Sequence, residues 1–86
     1  MKINPFAVMQ EEFDHTGTVF NPDSNRVMTL NQSAVVLWKA FEKGYSPDEA
    51  AALLVENFAG IELSDARRDA EAFAAVLREK SLLSEE

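Results

Sequence analysis

Cysteine is absent from this 86-residue chain, and histidine and tryptophan occur once each. Without cysteine there is no disulfide framework and no thiolate metal site, a composition that fits a reducing compartment. No apolar run approaches the ~20 residues needed to span a bilayer. The opening Met1-Lys2-Ile3-Asn4-Pro5 carries a proline and no apolar h-region, so no signal peptide is read. A cytoplasmic protein without a membrane partner is expected. Positive charge is scarce too: eight Lys and Arg face fifteen Asp and Glu, for a net charge of −7. Such a surface favours solubility and disfavours close approach to phosphate backbones, so nucleic acid is not an expected partner.

The marks of catalysis are missing as well. His15 stands in a turn-forming stretch. Glu11, Glu12, Asp14 and His15 have the composition of an oxygen-rich metal cluster. Adjacent strand residues point to opposite faces, however, so the four cannot converge. There is no nucleophile–base pair, Gly-rich phosphate loop or cofactor fingerprint. The expectation is a non-enzyme with no catalytic residues, no cofactor and no metal.

What the chain does contain is strand signal followed by helix signal, within a single domain over residues 1–86. Phe6 to Phe13 reads as a weakly specified strand, with Ala7, Met9 and Phe13 on one face. Thr18-Val19-Phe20-Asn21 is β-branched and aromatic, as strands prefer. Asn21-Pro22-Asp23-Ser24-Asn25 is turn chemistry, and Arg26 to Leu30 reads as a third strand hairpinned to the second. The first helix spans Gln32 to about Lys43, capped by Asn31 or Ser33, with Leu37, Trp38 and Phe41 inward and Gly44 ending it. Ser46-Pro47-Asp48-Glu49 is a capping box that opens a second helix reaching about Phe58, with Ala50, Leu53, Leu54 and Phe58 inward and Gly60 after it. Ser64 is expected to cap a third helix from Asp65 to about Lys80, with Ala66, Ala70, Phe73 and Leu77 inward. Leu82 and Leu83 then close the core, and Glu85-Glu86 fray. The fold class is α+β and winged helix-turn-helix-like: three short N-terminal antiparallel strands followed by three helices.

These residues carry a family resemblance. Leu30-Asn31 before a helix bearing Trp38, then Gly44, then Glu49-Ala50-Ala51 in the capped second helix, and finally Leu77-Arg78-Glu79-Lys80-Ser81-Leu82-Leu83 resemble the PqqD family (pyrroloquinoline quinone biosynthesis protein D-like) over about residues 6–83. Lys43 and Ser81 depart from the pattern, in which an acidic residue often precedes the glycine and a glycine stands near the final leucines. The resemblance implies a RiPP recognition element. Such an element is a peptide chaperone that binds the leader of a ribosomally made precursor peptide and presents it to a modifying enzyme, often a radical SAM protein. It implies that the leader adds as a strand along Arg26, Val27, Met28, Thr29 and Leu30, beside the third helix.

Backbone pairing alone does not suffice for micromolar binding, so helix three must contribute. One of its stripes is Arg67, Glu71, Ala74 and Arg78. Another is Arg68, Ala72, Ala75 and Glu79. Sequence does not decide which borders the groove, and Arg67 with Glu71 also reads as an ordinary i,i+4 surface pair. Two other readings stand beside this one. A winged-helix DNA-binding domain would need a basic recognition helix. The third helix instead offsets Arg67, Arg68, Arg78 and Lys80 with Asp65, Asp69, Glu71 and Glu79. A structural docking subunit of a larger enzyme would use the same helices. An unpaired strand edge leaves a monomer or a weak dimer open.

Overall fold

The structure, a computed structural model, describes residues 2–84; Met1, Glu85 and Glu86 lie outside the described residues, and with them the expected fraying of Glu85-Glu86. Strands β1 (Lys2–Ile3), β2 (Val8–Glu11), β3 (Gly17–Asn21) and β4 (Arg26–Leu30) precede helices α1 (Gln32–Glu42), α2 (Pro47–Asn57) and α3 (Leu63–Glu79), and β5 (Leu83–Ser84) ends the described chain. The architecture is α+β, with antiparallel strands first and three helices after.

β2, β3 and β4 form an antiparallel meander in that order. The expected first strand is shorter than its sequence suggested. It ends at Glu11, where Glu12, Asp14 and Thr16 build a turn: the Glu12 N–H bonds the Thr16 carbonyl at 2.7 Å, and the Asp14 carboxylate accepts the Thr16 hydroxyl at 2.6 Å. Phe13 is therefore fully exposed at the turn rather than facing the core. Two further short strands, β1 and β5, pair antiparallel with Lys2 opposite Ser84 and Ile3 opposite Leu83.

The side-chain period of two sorts each strand of the meander. Met9, Val19, Met28 and Leu30 turn inward and belong to the core or pack on it. On the outer face, Val8, Phe20 and Val27 stand in register across the three strands, followed by a second row of Gln10, Thr18 and Thr29. Gly17 lets α1 approach the sheet, because a Cβ there would meet the Val35 side chain at 3.1 Å and the Gln10 carbonyl at 3.2 Å.

β4 runs straight into α1. Asn31 is its cap, and its Oδ1 accepts the Ala34 N–H at 2.9 Å. The capping box at α2 forms as expected: Ser46 Oγ accepts the Glu49 N–H, and Glu49 accepts the Ser46 N–H at 2.9 Å. α3 starts earlier than expected. Glu62 takes the extended N-cap conformation without a side-chain cap bond, so Ser64 lies within the first turn. The buried stripe of α3 is Ala66, Ala70, Ala74 and Leu77. Phe73 sits at its margin, half-buried and stacked on Phe41 with ring centroids 6.3 Å apart. Trp38, Phe41, Leu54, Leu77, Leu82 and Val19 are the largest fully buried side chains, so Trp38 is a core aromatic.

Two helices end in the same hydrogen-bond pattern. After α1, the Tyr45 N–H bonds the Ala40 carbonyl and the Gly44 N–H bonds that of Phe41. After α3, the Leu82 N–H bonds the Leu77 carbonyl at 2.8 Å and the Ser81 N–H bonds that of Arg78. Both are Schellman motifs, which require a left-handed residue. Gly44 supplies it at φ +85 in the first, whereas Ser81 adopts φ 60 in the second. The glycine common near the final leucines of the resembled family is thus a conformational requirement that Ser81 meets under strain. Ser81→Gly is expected to stabilise the fold by about 0.5–1 kcal/mol, once relief of the left-handed Cβ strain is set against glycine's greater chain entropy. A rise of ~2–8 °C in the melting midpoint would register it; an unchanged or lowered midpoint would contradict the strain.

One exposed cluster ties β2 to α1. Glu11 accepts a hydrogen bond from Lys39 and lies 3.1 Å from His15 Nδ1. Those two partners, Lys39 foremost, hold the Glu11 carboxyl below the usual carboxylate range. With its pKa lowered on folding, the contribution of Glu11 is complete above that range and is lost as pH falls through the lowered value. The melting midpoints of the wild type and Glu11→Gln should therefore differ near neutral pH and converge in acid. A constant difference down to strongly acidic pH would exclude this linkage.

Candidate peptide-binding edge

β4 pairs with β3 on one side, and among the described residues no strand pairs with its other side. Such an edge leaves alternate N–H and C=O groups open. β4 holds no proline. Val27 and Thr29 are exposed, Met28 is half-buried, and Leu30 is buried, so at Leu30 only the backbone is on offer.

Beside this edge are two depressions. The first, of about 460 Å³, is lined by Asn21, Asp23, Ser24 and Arg26 to Met28 on the sheet side and by Glu79 to Leu82 at the end of α3. The second, of about 280 Å³, lies between Asn31, Ala34 and Leu37 and the Asp69, Ala72 and Phe73 face of α3. Val76, one turn from both Ala72 and Lys80, falls on the same side of the helix between them. The surface of α3 beside β4 is thus Asp69, Ala72, Phe73, Val76 and Lys80. Its middle is apolar, and Arg26 and Lys80 stand with Asp23 and Glu79 at one mouth.

This differs from the expected set. Ala74 is fully buried in the core and presents no surface, because the inward stripe is rotated past Phe73 toward α2. Arg67 turns to α2, with Nε 3.5 Å from Asp48 Oδ1. Arg78 lines a depression formed with Lys2 to Pro5, at β1. Arg68 pairs with Asp65 at 3.3 Å on the exposed side. Glu71 and Ala75 are exposed too, and neither lines the two depressions. Of the two stripes, only Ala72 and Glu79 reach the groove.

Asn21 was legible as a strand end and a turn residue, yet it also joins the sheet to the helix. It is 6 % exposed. Its Nδ2 donates to the Lys80 carbonyl at 2.7 Å, and its Oδ1 accepts the Asp23 N–H at 3.0 Å. No signal within the hairpin could name a carbonyl at the far end of the chain as its partner.

A further depression, of about 590 Å³, is lined by Glu11, His15, Gln32, Lys39, Asn57 and Phe58. Its charged groups engage one another, as described above. Among the described residues, no group of three or more His, Cys, Asp or Glu is placed to hold a metal ion, and no helix is long and apolar enough to cross a membrane.

The family model for coenzyme PQQ synthesis protein D (PqqD) matches residues 17–83. The chain belongs to the PqqD family. Its fold is similar to that of TbiB1, solved in complex with the TbiA(beta) leader peptide, with a TM-score of 0.85, 21% identity, and coverage of 100% of this chain and 98% of that one. It is similar also to lasso peptide synthetase B1, solved with its leader peptide, with a TM-score of 0.76, 24% identity, and coverage of 91% and 89%. Comparison with curated proteins finds no match.

Asn21→Ala leaves the Lys80 carbonyl without its partner in a half-buried site and is expected to cost about 1–3 kcal/mol. Gln10, exposed on the outer face of the sheet, serves as the control, with Gln10→Ala changing stability by less than about 0.5 kcal/mol. Equal denaturant midpoints for the two variants would deny Asn21 this role.

Proposed function

We propose that this protein is a peptide-recognition subunit without catalysis of its own. It binds the leader of a ribosomally made precursor peptide as an added strand on β4 and presents that peptide to a modifying enzyme. A radical SAM protein is the enzyme class the family resemblance implies. The observation that carries the reading is the open β4 edge beside an apolar stretch of α3. The two solved proteins of similar fold, each holding a leader peptide, support it.

Magnitudes fit this arrangement. About four new backbone hydrogen bonds, at ~0.5–1.5 kcal/mol net each, supply roughly 2–6 kcal/mol. Micromolar affinity needs about 8 kcal/mol after association costs are met. Burial of leader side chains against Met28, Phe73 and Val76 makes up the difference, at ~25 cal/mol per Å² of apolar surface. DNA binding is disfavoured: Arg67 and Arg68 on α3 are engaged by Asp48 and Asp65.

Affinity capture from the source organism, with mass spectrometry that retains short peptides, would supply the ligand. Met28→Pro and Thr29→Pro then test the edge as a pair, because successive N–H groups of a strand point to opposite sides. One variant loses a bond to β3 and is destabilised. The other loses an outward donor, stays folded, and should bind the captured peptide ~3- to 10-fold more weakly. Full affinity in the folded variant would rule out strand addition here.

A further inference from the structure

The outer face of the sheet is ordered in a way that packing does not require. Val8, Phe20 and Val27 stand side by side across β2, β3 and β4, and are 61%, 38% and 65% exposed. The neighbouring row, Gln10, Thr18 and Thr29, is polar. Neither row belongs to the core or packs on it, and Val27 also borders the depression at the end of α3. For a chain of net charge −7, an uninterrupted apolar row in water does not serve solubility. Its last member, Val27, lies on the strand whose other edge is open.

Cross-strand neighbours on one face are the units of sheet stabilisation. A strand added to β4 becomes the fourth strand of the meander, and its outward side chains extend both rows. We infer, on the strength of the strand-addition reading, that the bound segment carries a large apolar side chain on its outer face beside Val27. The adjoining residue, on the inner face opposite Met28, is apolar as well and covers the groove toward Phe73 and Val76. The next residue, beside Thr29, is a polar strand former such as threonine. The ligand class is thus an extended peptide with two adjacent apolar residues flanked on one side by a threonine-like residue, rather than one that simply alternates apolar and polar. A simple alternating strand would fill the groove and leave the Val8–Phe20–Val27 row uncovered at its end.

The outer pair is worth ~1.4- to 5-fold in affinity, which selection experiments resolve. A library of random twelve-residue peptides displayed on phage, selected on the full chain, is expected to enrich the apolar–apolar–threonine-like pattern in one chain direction. Selection on Val27→Thr should keep the inner apolar residue and relax the outer one. A synthetic peptide chosen on the wild type should bind Val27→Thr ~2- to 5-fold more weakly. Enriched peptides that depend on β4, judged by weakened binding to the folded proline variant, yet show no outer apolar preference would overturn this inference and leave strand addition standing. Failure to enrich any β4-dependent peptide would overturn strand addition itself.

Discussion

One buried amide holds the two halves of the molecule in register. The end of β3 and the end of α3 come from distant parts of the sequence, and both reach the mouth of the groove. The Asn21 side chain bridges them, donating to the Lys80 carbonyl and accepting from the Asp23 backbone. A buried amide that lost such partners would be costly, so the pairing is directional as well as cohesive. It ties the hairpin of β3 and β4 to the end of α3, and the Asn4 side chain adds a second tie there, donating to Asp23 and to the Ser81 carbonyl.

The other contacts act around this point. Asn31 turns the chain from β4 into α1 within one residue, fixing the far end of the edge strand. The Schellman turn at Ser81 brings Leu82 back under α3, where it is buried. α3 then serves three neighbours at once: Ala66, Ala70, Ala74 and Leu77 face the core, Arg67 reaches α2, and Ala72 and Phe73 line the approach to β4, with Val76 one turn on from Ala72. Small residues on the inward stripe let the helix lie close to its neighbours. Leu77 is the one large side chain on that stripe, while Phe73 and Val76 stand at the margin, where a ligand can cover them.

Much of this was legible in the sequence, for local reasons. The capping box at Ser46, the glycine after α1 and the 3.6-residue spacing located the helices. The turn chemistry of 21–25 located the hairpin that makes β4 an edge. The misses were failures of phase and range. α3 begins at Leu63, and its inward stripe includes Ala74, so the stripe of Arg67, Glu71 and Arg78 lies on the α2 and β1 side rather than at the groove. β1 and β5 are two residues each, too short to show a period. The role of Asn21 depends on a partner 59 residues away, which no window of local pattern contains.

The pairing of β1 with β5 has an architectural consequence. Because Lys2 lies opposite Ser84 and Ile3 opposite Leu83, the chain enters and leaves the fold at neighbouring points. A unit built this way can be threaded into a loop of a larger polypeptide, or permuted to start elsewhere, with little distortion of either host or guest. Joining at either end starts from the same corner of the molecule, so the two orders of fusion are close to equivalent in space.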